Sequence, residues 1–250
     1  MRTLLAALLL AGPLALAVPA ATPAYAATCP SGATCDDFES QTGTTPGGAW
    51  AVETPNCSGT GTATVDTAQA HSGTRSIKVT GGLYYCDHVF VGRALPAGTA
   101  YFRFYLRHST ALPTNHATMV AMRDANDTNH DLRFGAQNGA LQWNRESDDA
   151  TLPEQSPTGV AASVPLPLNA WECVEYEVSG GQIHTWLNGT EITGLVEDGV
   201  PTPDIDRQWL SRSGWNPSLT DLRLGWESYA GNTDTLWYDD VAFGPTRIGC

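Results

Sequence analysis

The chain has 250 residues, 26 acidic against 13 basic, giving a formal net charge of −13. That balance repels nucleic acid and anionic lipid, so neither is expected as a partner. It also disfavours polyanionic substrates unless basic side chains are concentrated in one place.

At the start, Arg2 supplies a minimal positive region, Leu4 to Val18 is apolar, and Ala24-Tyr25-Ala26 has the small-x-small pattern of a cleavage site. Residues 1–26 are therefore expected to be a secretory signal peptide. Pro13 and Pro19 interrupt the apolar stretch and no basic stop-transfer flank follows, which argues against an anchor. No later segment approaches the ~20 consecutive apolar residues of a membrane span. Residues 27–250 are then a secreted, extracellular, single domain, without a composition break or internal repeat, expected to be monomeric. All six cysteines follow the leader, and an even count in an exported chain predicts three disulfides. No C-x-x-C pair favours a metal site, and oxidising conditions favour bridges. Cys57–Cys86 is the expected pair, because both flank short strands beside one Gly-rich region. The other pairings stay open, although a bridge to Cys250 would tie down the C-terminus.

Beyond the leader, short runs of alternating polarity are separated by Gly, Pro, Asn and Asp, which predicts a sandwich or barrel of antiparallel strands. In chain order the expected strands are 76–80, 84–91, 100–107, 118–123, 132–136, 141–144, 171–178, 182–187, 222–226 and 235–243. Asn138-Gly139 and Asn188-Gly189 suit tight hairpin turns. The stretch 153–167 reads as a Pro-rich connection, and 201–218 as irregular with one helical turn near 206–211. In the strand at 100–107, alternation places Phe102, Phe104 and Leu106 on one face and Tyr101, Arg103, Tyr105 and Arg107 on the other. A Tyr/Arg face suits sugar, since rings pack on pyranose faces and guanidinium forks bind hydroxyls or carboxylates. An ordinary solvated strand face is the alternative.

Three segments have the donors for calcium: Asp36-Asp37-Phe38-Glu39, Ala70-His71-Ser72-Gly73 and Tyr238-Asp239-Asp240-Val241. Calcium takes about six to eight oxygens, mixing carboxylates and carbonyls. Together with Tyr84-Tyr85-Cys86-Asp87-His88, Trp171-Glu172-Cys173-Val174-Glu175-Tyr176, Trp186-Leu187-Asn188-Gly189, Gly225-Trp226-Glu227-Ser228-Tyr229 and the preceding-to-closing run Leu236-Trp237-Tyr238-Asp239-Asp240-Val241, these segments resemble the fungal cellulose-induced secreted proteins and their bacterial relatives. The resemblance covers the whole mature chain. It implies a concanavalin-like β-jelly-roll sandwich of two antiparallel sheets, similar in fold to glucuronan and alginate lyases, with a long cleft and a structural calcium away from it. By the same resemblance Glu39, the carbonyl region of His71, and Asp239 would hold the ion. Asp240 is the less favoured neighbour, since adjacent strand residues point opposite ways.

Eliminative cleavage of a uronate polymer needs a group to neutralise the C6 carboxylate, a base for the C5 proton and an acid for the leaving oxygen. Arg133 and Gln137, four apart on one strand, share a face and supply neutralisers. A similar arrangement lines the family's cleft, where Asp149 also falls nearby. His130 and Tyr229 are nominated as base and acid, with Tyr85 and His88 behind them. Lys78, the only lysine, follows the calcium turn and is set aside. Two features oppose catalysis. The Gln-Ile-His strand of alginate lyases is replaced by Met122-Arg123-Asp124, and the net charge repels a polyuronate unless Arg103, Arg107, Arg123 and Arg133 cluster. Gln182-Ile183-His184 carries the same letters in a late hairpin and is read as coincidence. Glu146, Glu175 and Glu227 could serve a glycosidase, but nothing in the sequence pairs them. Three readings follow: a lyase acting on a uronate-containing polysaccharide, a non-catalytic carbohydrate-binding module using Tyr101, Tyr105 and cleft tryptophans such as Trp143, or a structural extracellular protein.

Overall fold

The computed structural model describes residues 29–56 and 59–250; the expected leader and Cys57 lie outside them. Strands β1 (Thr34–Asp36), β2 (Ala51–Glu53), β3 (Thr62–Asp66), β4 (Ser76–Thr80) and β5 (Val89–Ala94) lead into four of six to eight residues. These are β6 (Tyr101–His108), β7 (Ala117–Asp124), β8 (His130–Gln137) and β9 (Ala140–Arg145). After β10 (Ala150–Leu152), a short helix α1 (Pro157–Ala162) precedes β11 (Glu172–Ser179), β12 (Gln182–Leu187) and β13 (Thr190–Glu191). A single-turn helix α2 (Arg207–Leu210) and strands β14 (Asp221–Ser228) and β15 (Thr235–Gly244) complete the order.

Two antiparallel sheets face each other as the expected jelly-roll sandwich. One runs β13-β12-β11-β6-β15-β4-β3, with β1 added along the end of β15; the other runs β10-β9-β8-β7-β14-β5-β2. Alternation explains what lies between them. Phe102, Phe104 and Leu106 of β6 and Leu132, Phe134 and Ala136 of β8 are all buried in the shared core. Trp143 of β9 is fully buried there too, its indole N–H donating to Thr185 Oγ1 at 2.9 Å and its ring edge-on to Tyr176. It cannot meet a polysaccharide, which corrects its assignment as a cleft tryptophan: it takes the inward position of its strand.

The ten expected strands are present, most within one or two residues of the expected bounds. The segment expected to begin at Tyr84 is the exception. Tyr85–Asp87 forms a 3-10 turn, because Asp87 accepts from the Thr60 amide and hydroxyl at 2.9 and 3.0 Å and bends the chain there. The Pro-rich connection contains α1, which Ser156 caps by accepting from the Gly159 amide at 3.0 Å, with Pro157 in the first turn. Cys29–Cys35 closes a small N-terminal loop and Cys173–Cys250 ties the C-terminus to β11. Cys86 is disulfide-bonded, but the Cys57 expected opposite it lies outside the described residues. Among the described residues no helix is long and apolar enough to cross a membrane.

Candidate active site

The outer face of the β8 sheet carries the cleft. With Leu132, Phe134 and Ala136 pointing inward, Asp131, Arg133, Gly135 and Gln137 of β8 must point outward. A hollow of about 460 Å³ is lined by His116, Arg133, Gln137, Asp149 and Tyr229 among others. A second of about 320 Å³, lined by Tyr85, His130, Asp131, Glu146, Arg223 and Glu227 among others, shares Arg133 with it. Gly135 lets the neighbouring strand come close: a Cβ there would stand 1.9 Å from the Ala117 carbonyl oxygen. That approach coincides with a bulge between Thr118 and Val120, and a matching irregularity between Leu224 and Glu227 follows on β14. Bulges of this kind re-aim side chains, here at the end of the cleft where Glu227 and Tyr229 stand.

Arg133 is the hub. Its Nη2 lies 2.6 Å from Glu146 Oε1 and 3.9 Å from Glu227 Oε1, and its guanidinium sits 5.8 Å from the Tyr229 ring centre. Tyr229 donates its hydroxyl to Glu227 Oε1 at 2.6 Å while its ring, 44 % exposed as a residue, faces the cleft. Withdrawal of the hydroxyl from water and the adjacent Glu227 carboxylate push its pKa well above 10, so it keeps its proton. His116 stacks on Tyr229 with ring centres 5.6 Å apart and planes nearly parallel. Burial, then the charge of Arg133, lower the His116 pKa to about 4, leaving a neutral imidazole at neutral pH. Behind Glu227, buried His88 places Nδ1 3.5 Å from Glu227 Oε2, and neither of its ring nitrogens is hydrogen-bonded. Tyr85 packs against both His88 and Tyr229, at 4.9 and 5.4 Å. Asp149, exposed on the tight turn after β9, accepts from Asn144 Nδ2 at 2.9 Å.

Arg133, Gln137, Asp149 and Tyr229 thus share one hollow, while His130 lines only the neighbouring one, its Nδ1 against the Asp127 carbonyl at 2.8 Å. Reasoning from the sequence passed over His116, which lies just before β7 rather than in a strand. Testing each of the six histidines for closeness to Arg133 would have required the fold. Glu146 and Glu227, unpaired in the sequence, both approach Arg133 Nη2 and offset its charge.

The Tyr/Arg face of β6 belongs to the opposite sheet and is covered. Arg103 is 2 % exposed, His71 stacks on Tyr105 at 3.5 Å between ring centres, and Arg107 donates to the Asn169 carbonyl. Tyr101 is half-buried against Glu177. This face is no open sugar platform, and Arg103 and Arg107 cannot add their charge to the Arg133 cleft. Arg223 does line the cleft, although Asp131 and Asp221 pair with it.

The segments expected to hold calcium meet around the turn at residues 71–75. Asp239, fully buried, accepts from the His71 and Ser72 amides at 2.7 and 3.2 Å. Glu39 accepts from the Thr74 and Arg75 amides at 2.7 and 2.6 Å. Asp240 faces the same turn, bonded to His71 Nδ1 at 2.6 Å and Ser72 Oγ at 2.8 Å. Its φ of +46° and the bulge between Asp239 and Ala242 break strand alternation, so the expectation that Asp240 points away is corrected. Asp239 has no cationic side chain within ion-pair distance among the described residues. The Asp239 and Glu39 carboxylates, which here accept backbone amides, and the turn's carbonyls are oxygens of the kind calcium takes. Among the described residues no three His, Cys, Asp or Glu side chains converge as a metal site by themselves, so carbonyl oxygens would have to complete the shell.

Comparison with known proteins agrees with this architecture. The family profile described as Polysacc_lyase-like, Cip1-like core domain, matches residues 37–246. The solved structure titled cellulose induced protein, Cip1, is 43% identical, covering 87% of this chain and 99% of its own, with a TM-score of 0.81. An endo-β-1,4-glucuronan lyase from the fungus Trichoderma reesei is 16% identical over 82% of this chain and 94% of its own, at a TM-score of 0.56, a likeness of fold. A protein titled among endo-acting O-glycanases of the human gut microbiota shares the fold at 11% identity and a TM-score of 0.54, over 84% of this chain and 98% of its own. No curated protein matches. By profile and by identity across nearly its full described length, the chain belongs to the Cip1-like family of polysaccharide-lyase-like proteins.

Proposed function

We propose that the protein is a secreted polysaccharide lyase that cleaves a uronate-containing polymer by β-elimination in the Arg133 cleft. The observation that carries this reading is the grouping of Arg133, Gln137, His116 and Tyr229 around one hollow, with the imidazole neutral and the phenol protonated. Arg133 and Gln137 bind the C6 carboxylate and stabilise the charge that develops there. Neutral His116 takes the C5 proton, the C4–O4 bond breaks as the C4–C5 double bond forms, and the Tyr229 hydroxyl protonates the departing oxygen. Before substrate binds, Glu227 accepts a hydrogen bond from the Tyr229 hydroxyl at 2.6 Å. That bond gives way as the departing oxygen takes the proton, and Asp149 stands at the rim. His116 replaces His130 as the base because it faces the hollow that Arg133, Gln137 and Tyr229 share.

Tyr229→Phe keeps the ring and removes the proton, so ultraviolet-absorbing unsaturated product should fall at least about 100-fold with melting unchanged. Arg133→Ala should abolish product and also cost on the order of 1–3 kcal/mol, because buried Glu227 loses its neighbouring cation. Full activity in both variants would show that the cleft is not where cleavage happens.

A second reading rests on the ion pair between Arg133 and Glu146, which competes for the substrate carboxylate. In it the row of Tyr85, Tyr229 and His116 rings binds sugar faces without cleaving. Calcium, held by Glu39, Asp239 and carbonyl oxygens of the 71–75 turn, is the proposed structural ion; bound there it would link the turn after β1, the 71–75 turn and the last strand, β15, and offset the buried Asp239 charge.

A further inference from the structure

The hollow that Arg133 shares with Tyr229 reaches beyond the groups needed for elimination, to a further set of side chains. Strand register fixes its direction. Arg133 of β8 pairs with Asn144 of β9, and Asn144 pairs with Thr151 of β10. Residues paired in this way project from the same face, so the hollow extends across the strands from Arg133 to Thr151, two strand spacings or roughly 10 Å. Asp149 stands on the turn between β9 and β10, and Gln208 Oε1 accepts from Thr151 Oγ1 at 3.4 Å. Both Asp149 and Gln208 line the hollow and both are exposed.

This far end has its own chemistry. Among the residues lining the hollow, Arg133 is the one arginine or lysine and Asp149 the one carboxylate. The charge of Asp149 is felt at His116, where it opposes the effect of Arg133. A single uronate carboxylate therefore finds a cation at Arg133, but the carboxylate of the next sugar would face Asp149 with no second cation to meet it. A sugar hydroxyl fits there instead. It donates to the Asp149 carboxylate, whose only hydrogen bond among the described residues is the one accepted from Asn144 at 2.9 Å. It also accepts from the Gln208 side-chain amide, whose nitrogen meets only solvent. Gln155, lining the same end, is neutral and is held by Gln142 at 2.9 Å.

The charge of the whole molecule acts in the same direction. At −13 the protein repels every carboxylate a polymer carries, so a chain with fewer of them approaches more easily. The neighbouring hollow is less restrictive, since Arg123 lines it, exposed and without an ion pair among the described residues.

We infer that the cleft takes a mixed polysaccharide, in which the uronate held at Arg133 is joined to a neutral sugar lying against Asp149 and Gln208, and that Asp149 excludes a second uronate there. This preference rests on the reading that Arg133 binds a uronate carboxylate, and not on cleavage. It makes Asp149 a determinant of specificity rather than a participant in elimination.

The test compares oligosaccharides of equal length from glucuronan, in which every sugar is a uronate, from deacylated gellan, in which each glucuronate stands between glucoses, and from cellulose, which has no uronate. Affinities are measured by calorimetry on the full mature protein carrying Tyr229→Phe, which stops turnover; product absorbance is followed with the parent. Gellan oligosaccharides should bind at least about fivefold more tightly than either of the others, the scale of one close charge pair in water. Asp149→Asn keeps a residue type that tolerates the turn's φ of +57° and keeps the acceptor for Asn144. It should bring glucuronan to within about twofold of gellan. Gln208→Ala should weaken gellan about threefold, the loss of one hydrogen bond, without improving glucuronan. Should melting curves show that one variant fails to fold, the other carries the comparison. Glucuronan or cellulose bound as tightly as gellan, a preference unmoved by the variants, or no binding at all would overturn the inference. The expected preference without any product from the parent would uphold it and dispose of cleavage.

Discussion

At the scale of single residues, the proposed elimination depends on two cleft groups held in the protonation states it needs. His116 is neutral because burial and Arg133 disfavour its cationic form. Its pKa in the folded protein lies below the ~6.5 of an unfolded histidine. The linked stability is therefore fully present above about pH 6.5 and is lost as pH falls toward 4. Thermal unfolding between those pH values should show this slope, on the order of 2–3 kcal/mol, and His116→Gln should flatten it. The acid limb of kcat/KM should correspondingly lie near pH 4; a limb at the ordinary histidine position would remove His116 as the base. The sequence displayed Arg133 and Gln137 because their spacing alone places them on one strand face. It could not display His116, whose place is set by a loop end and by long-range packing on Tyr229. Asp239 and Asp240 failed differently: strict alternation separates them, and one left-handed residue at a bulge reunites them.

At the scale of elements, strands with a clean period of two were legible almost to the residue, as β4 and β12 show. Of the strands of five residues or fewer only β4 was expected; β1, β2, β3, β10 and β13 went unread, most of them with too few positions for alternation to register. Faces were read correctly on β6, but not which sheet β6 joins, so a Tyr/Arg face that suits sugar in isolation is covered by His71 and neighbouring segments. The 3-10 turn at Tyr85–Asp87 owes its form to a contact with Thr60 that no local pattern reveals. Gly135 is the element-level test. Gly135→Val would drive a branched side chain into the Ala117 carbonyl and should lower stability by about 1–3 kcal/mol. It should also loosen the strands carrying Arg133 and Thr118, lowering activity at temperatures where the fold is intact. A variant as stable as the parent by denaturant titration would mean that the close approach of β7 to β8 is dispensable.

At the scale of the molecule, both ends of the described domain are fastened to the β6 sheet. Cys173–Cys250 secures the last residue, and the 71–75 turn gathers Glu39 from the beginning and Asp239 and Asp240 from the end. If calcium occupies that turn, a chelator should lower the melting temperature of the parent and leave Asp239→Ala unaffected by comparison. A parent indifferent to chelator would dispose of the ion as a structural element. The net charge of −13 remains the strongest whole-molecule objection to a polyuronate substrate, since Arg133 and Arg223 are each balanced by carboxylates. The cleft's chemistry and the protein's field therefore point in opposite directions, and substrate trials decide between them.

The most direct trial is the ultraviolet absorbance of unsaturated uronate product while the purified protein meets glucuronan, alginate and other polyuronates with calcium present. The expected result is a steady rise on at least one polymer, lost in Tyr229→Phe. A flat trace on every polymer, with the same polymers or neutral cell-wall glucans retained by the protein, would contradict elimination and leave the cleft a binding surface.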